Sequence, residues 1–167
     1  MSDPDPQQLI EQLAEEACIS LFEAYGVTLA PGHPIDPLTL DRALTGIVGF
    51  TGNGITGMCL LVCAEAPLLA SMPTEGSLRD WSAEMSNQLA GRIKHKLLPH
   101  GVEVYITTPI VLRAARIEPM PKRKLLPIGF RGPGGAIGIW IEVETSHDFR
   151  FAPGEVPVAE GETLLFE

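Results

Sequence analysis

The sequence predicts an α+β domain: one antiparallel β-sheet with helices packed on one face. Three observations predict it. Apolar residues recur every three or four positions in two long segments, the period of a helix with one buried side. Around them lie short β-branched and aromatic runs joined by tight glycine-rich turns, which impose antiparallel pairing. In the last run Ile137, Ile139, Ile141 and Val143 fall on one side and Gly138, Trp140, Glu142 and Glu144 on the other, the alternation of a sheet with one buried face.

The elements follow in order. Pro6 to Tyr25 reads as a helix: Asp5 caps it, Pro6 suits its first turn, and Leu9, Leu13, Ala17 and Leu21 make an apolar stripe with Ile10, Ala14 and Phe22 beside it. Gly26 stops it. Val27 to Thr39 holds Pro31, Gly32, Pro34 and Pro37 and reads as a connection. Ala43–Phe50 and Gly57–Ala64 read as strands, with Thr51-Gly52-Asn53-Gly54 as a hairpin signal between them. Ala66–Met72 reads as a short helix. Ser77 caps a longer one that runs to about Leu98, where Pro99 ends it. Four further strands are expected over Val102–Thr107, Ile110–Ile117, Leu125–Arg131 and Ala136–Glu144, with a turn at Arg131 to Gly135 between the last two. The expected organisation is one domain over residues 1–146 and an acidic tail over 147–167, a loose end or a final edge strand.

Composition narrows the function. The 167 residues with 45% hydrophobic content suffice for one core. Twelve basic against 21 acidic residues give a net charge of −9, a poor match to nucleic acid or anionic membrane. The basic run Lys122-Arg123-Lys124 is short and flanked by prolines, and reads as a solvated loop. The apolar run Met58–Cys63 is far shorter than the ~20 residues of a membrane helix, and the acidic, proline-rich start lacks the pattern of a secretory signal, so a cytoplasmic protein is expected. Cys18, Cys59 and Cys63 show no disulfide framework. Cys59 and Cys63 face the same side of a strand, and no histidine pair accompanies them. No metal site is expected, and the thiols read as small core residues. Neither G-x-S-x-G nor a P-loop pattern occurs.

The helix at 77–98 carries the functional reading. Leu78, Trp81, Met85, Leu89, Ile93 and Leu97 line its apolar side, and Asp80, Glu84, Asn87, Gly91 and Lys94 lie nearly opposite. Glu84 and Asn87, at i and i+3, are neighbours. Glutamate and asparagine on a solvent face are ordinary, but glycine inside a helix costs about 1 kcal/mol relative to alanine. On the exposed stripe no core crowding requires Gly91; close approach of a partner would.

Asp80-x₃-Glu84-x-x-Asn87-x₃-Gly91-x-x-Lys94 resembles the signature helix of the CheC/CheX chemotaxis phosphatases. Residues 46–52 and 57–62 resemble that family's paired strands before the helix, and 104–111, with Pro109, its strand after it. The resemblance covers about residues 10–145 and implies a CheC-like fold and a phosphatase that docks on the receiver domain of a phosphorylated, CheY-like response regulator. By resemblance, Asn87 orients a water toward the aspartyl-phosphate and Glu84 pairs with the receiver's lysine. Asp80, Gln88, Gly91 and Lys94 belong to the docking face. No cofactor of its own is implied, because the Mg²⁺ is supplied by the receiver. In the first helix Cys18 follows Glu15 where asparagine would fall, so one signature helix is present, as in the CheX branch, whose members pair as homodimers through a sheet edge. Two alternatives stand beside catalysis: a non-catalytic module that recognises or sequesters a receiver or a flagellar switch partner, and a structural dimer domain.

Overall fold

The computed structural model describes residues 3–32, 42–113, 120–122 and 125–154. Helix α1, Pro6–Ala24, begins as its sequence dictates. Asp5 is the N-cap, its carboxylate accepting from the Gln7 amide at 3.2 Å, and Pro6 opens the first turn. The helix buries Ile10, Leu13, Ala14, Ala17, Cys18, Leu21 and Phe22. Gly26 ends it with φ +77°, and the Val27 amide donates back to the Phe22 carbonyl at 2.9 Å.

A two-residue strand, β1 (Ala30–Pro31), follows and pairs with β6 (Ile128–Gly132). This corrects the expectation of a plain connection from Val27; two paired residues leave no periodicity to read. Strands β2 (Leu44–Gly52) and β3 (Ile55–Cys63) form a hairpin that turns at Asn53-Gly54, with Gly54 at φ +73°. Then come α2 (Glu65–Ser71), α3 (Leu78–Leu97), a 3₁₀ turn at Leu98–His100, β4 (Val104–Ile106) and β5 (Ile110–Arg113). Strand β6 turns through Pro133-Gly134, the residue order of a type II turn, into β7 (Gly135–Thr145). Two strands are shorter than expected: β4 covers only Val104–Ile106 of the expected Val102–Thr107, and β6 starts at Ile128 and not at Leu125; the last part of the strand expected over Ile110–Ile117, residues 114–117, lies outside the described residues.

The sheet is antiparallel throughout, in the order β1-β6-β7-β3-β2, with β4 and β5 lying end to end along the outer edge of β2. Helices α1 and α3 pack on one face: Leu21, Phe22, Met85, Leu89 and Ile93 share a core with Leu61, Ile137, Ile139 and Ile141. The opposite face carries a smaller cluster of Ala43, Leu60, Val62 and Trp140. Trp140, read from its alternation as exposed, is buried, because it sits in an inner strand directly across from Leu60. The sheet thus buries apolar side chains on both faces, unequally.

Two further contacts complete the frame. Strand β6 pairs with β7 only as far as Ile139. Beyond it the buried Gln7 side chain takes over, its amide donating to the Ile141 carbonyl at 2.7 Å and its oxygen accepting from the Val143 amide at 2.9 Å. At the other end, residues 147–154 form no strand. Phe149 and Phe151 pack on the core, and the amides of Ala152 and Gly154 donate to the carbonyls of His100 and Pro99.

Candidate functional site

Helix α3 is capped by Ser77, whose hydroxyl accepts from the Asp80 amide at 3.3 Å. Met85, Leu89, Ile93 and Leu97 are buried as the apolar stripe requires. Ser82 and Ser86, not part of that stripe, are buried with them, and the Ser86 hydroxyl donates to the Ser82 carbonyl at 2.8 Å. They face Gly46 of β2. A methyl group on Gly46 would lie 1.8 Å from Ser86 Oγ and 2.6 Å from Ser86 Cβ. Glycine on the strand and serine on the helix let α3 sit closer to the sheet than a side chain at position 46 would allow, which sets the height of the next residue, Asn87.

The opposite side of α3 faces outward. Asp80, Glu84 and Asn87 are exposed, and Gly91 and Lys94 are half-buried. A methyl group at Gly91 would meet nothing within 4 Å, so the helix surface there is open to an approaching partner. Asp80 pairs with Arg79 at 3.0 Å, both well exposed, a contact worth little. The Lys94 ammonium lies 5.7 Å from the centre of the Tyr105 ring on β4, a cation–π contact that ties the helix to the sheet edge.

Beside Asn87 the sheet edge breaks. Ile106 pairs with Phe50 and Ile110 with Ile47, so residues 107–109 oppose only residues 48–49. That is a β-bulge, with Pro109 where a missing N–H costs nothing. Thr107 holds it: its amide donates to the Gly49 carbonyl and its hydroxyl accepts from the Gly49 amide, both at 2.9 Å. The bulge and α3 enclose an open cleft of about 450 Å³, lined by Asp80, Ala83, Glu84 and Asn87 on one side and Ile106, Thr107, Thr108 and Pro109 on the other.

On the far side of Glu84 lies a contact chain that sequence reasoning missed. The Gln88 side-chain amide donates to Glu84 Oε1 and to the Tyr25 hydroxyl, each at 2.7 Å. Tyr25 stands edge-on to Trp81 with ring centres 4.8 Å apart, and the Trp81 indole N–H donates to the Ser71 hydroxyl at 2.8 Å. This assigns Trp81, half-buried at the margin of the apolar stripe, as a support. Tyr25 just follows α1, 63 residues before Gln88, and no local pattern links the two.

Chemically the cleft offers two carboxylates, Asp80 and Glu84, the Asn87 amide and the Thr107 and Thr108 hydroxyls. The thiols are elsewhere: Cys18, Cys59 and Cys63 are buried and free, and burial pushes Cys59 and Cys63 up to about 12 and Cys18 well above its usual range, so none serves as a nucleophile. Among the described residues no group of three or more His, Cys, Asp or Glu could hold a metal ion, and no helix is long and apolar enough to cross a membrane.

The sequence matches no protein-family model and none of the curated proteins. The fold matches solved structures. A CheX chemotaxis protein from Vibrio vulnificus superposes with a TM-score of 0.71 at 17% identity, over 84% of this chain and 100% of that one. A CheC-like superfamily protein from Shewanella sp. PV-4 gives 0.69 at 19% identity, over 81% and 97%. The CheX–CheY–BeF₃–Mg²⁺ complex from Borrelia burgdorferi gives 0.58 at 19% identity, over 81% and 97%. The α+β architecture expected from the sequence is therefore the CheC-like one.

Proposed function

We propose that the outward face of α3 docks on the receiver domain of a phosphorylated, CheY-like response regulator and promotes hydrolysis of its aspartyl-phosphate. The observation that carries this is the exposed Glu84–Asn87 pair at an open cleft, on a fold one of whose solved neighbours is in complex with CheY. Asn87 enters the receiver's site. Its amide has both a donor and an acceptor, so it holds a water with a lone pair toward phosphorus without adding charge. The water oxygen forms a bond to phosphorus as the phosphorus–oxygen bond to the aspartate breaks. Inorganic phosphate leaves, the aspartate is recovered as carboxylate, and the water's proton goes with the phosphate or to solvent. No strong base is required, because a loose phosphoryl transition state depends on positioning and electrostatics. Glu84 meets the receiver's lysine ammonium and sets the register, Asp80 and Lys94 flank the contact, and Gly91 gives the partner room. The Mg²⁺ belongs to the receiver.

A cytoplasmic site of action goes with this role, as does pairing of two copies through a sheet edge; light scattering at micromolar concentration that finds a monomer would remove the second. The test of the role is phosphate release from receivers of the same genome, phosphorylated with a small phosphodonor. Wild type should accelerate release, and Asn87→Ala should lose on the order of 100-fold in rate while still binding. Phosphorylation-dependent capture with no acceleration by wild type would leave a receiver-binding module in place of a phosphatase. No capture of any receiver would dismiss both.

A further inference from the structure

Glu84 is exposed, yet it is held. Its one hydrogen bond among the described residues comes from the Gln88 amide, 2.7 Å from Oε1. Gln88 is fixed in turn by the Tyr25 hydroxyl, which accepts from the same amide nitrogen at 2.7 Å and lies 3.0 Å from the amide oxygen. Tyr25 is held by its edge-on contact with the Trp81 ring, and Trp81 donates to the Ser71 hydroxyl. The residue type matters. A lysine one turn after a glutamate would pair with it and neutralise it. A neutral amide orients the carboxylate and leaves its whole charge for an incoming cation.

We infer that Gln88 and Tyr25 are positioning residues that pre-set the Glu84 carboxylate to receive a single ammonium group from the partner. This deepens the proposed docking role and rests on it for the identity of the cation. Pre-setting one rotamer lowers the ordering cost of association, so it acts on docking and not on the chemical step. Tyr25→Phe and Gln88→Leu should each raise the receiver concentration needed for half-maximal phosphate release by about three- to tenfold, the range for a hydrogen bond to a charged group that is partly screened. In Tyr25→Phe, a change outside the docking face, the maximal rate should change less than twofold. Both act through one carboxylate, so the double variant should resemble Gln88→Leu, and neither change should matter in a Glu84→Gln background.

A second measurement needs no receiver. Side-chain couplings of Glu84 by NMR should show one dominant χ1 rotamer in wild type and averaging in Tyr25→Phe and Gln88→Leu, with thermal stability close to wild type. Averaged Glu84 couplings already in wild type, or substitution effects that persist undiminished in the Glu84→Gln background, would overturn the positioning role. Absence of any receiver effect from wild type, with Glu84 still locked, would instead count against the proposed function and leave the positioning standing.

Discussion

In a Gly46→Ala variant the new methyl would lie 1.8 Å from Ser86 Oγ and 2.6 Å from Ser86 Cβ. The two contacts differ in kind. A rotamer change at Ser86 moves Oγ away, at the loss of its hydrogen bond to the Ser82 carbonyl, about 1 kcal/mol. No rotamer moves Cβ. Carbon atoms pack at roughly 3.5–4.0 Å, so α3 must rise about 1 Å from the sheet. Overpacking of this kind costs about 1–3 kcal/mol, which with the lost hydrogen bond makes about 2–4 kcal/mol. At this chain length that lowers the melting temperature by about 5–15 °C. The same displacement carries Asn87 away from the bulge at 107–109, and a 1 Å misplacement costs on the order of 100-fold in rate. Calorimetry reads the first effect, and phosphate release at a temperature where the variant is folded reads the second. Ser86→Gly in the Gly46→Ala background removes both clashing atoms and should recover the packing loss, less the cost of about 1 kcal/mol for a glycine inside α3. Ser86→Ala leaves the Cβ contact and should not. A Gly46→Ala protein as stable as wild type, or equal rescue by the two second-site changes, would refute the close-packing account.

Other outcomes follow from the same coordinates. Gln7→Leu leaves the Ile141 carbonyl and the Val143 amide buried without partners and should cost about 2–4 kcal/mol in denaturant unfolding; a loss below 1 kcal/mol would mean that β7 finds other partners there. Gly91→Ala should raise stability by about 0.5–1 kcal/mol, since the methyl meets nothing, whereas Gly91→Gln should fold normally and dock the receiver more weakly; unchanged docking would take Gly91 out of the interface. The thiols give a pH dependence. Burial raises Cys59 and Cys63 from 9.0 to about 12, so above pH 9 the unfolded chain sheds protons that the fold retains. That contribution is full below about pH 9 and declines from there toward 12, by up to about 1.4 kcal/mol per pH unit for each thiol. A Cys59→Val/Cys63→Val variant should lose those two thiols' share of the slope in pH-dependent unfolding and keep that of the buried Cys18, and an unchanged slope would mean that both thiols titrate normally.

Much of the molecule is legible in local chemistry. Asp5, Pro6, Ser77 and Gly26 mark helix ends because caps and left-handed turns are decided within a few residues. The exposed stripe of α3 follows from its 100° period, and the resemblance of Asp80, Glu84, Asn87 and Gly91 to a known signature helix led to the fold that the solved neighbours share. What the sequence by itself did not determine lies between residues far apart along the chain. The seat of α3 on Gly46, the bulge held by Thr107 on Gly49, the burial of Trp140 against Leu60 and the support of Glu84 through Gln88 and Tyr25 each join separate elements. Periodicity tells which side of an element is buried. Only packing decides which atom meets which across the gap, and that is why the tertiary structure alone set the height of Asn87 and the direction of Glu84.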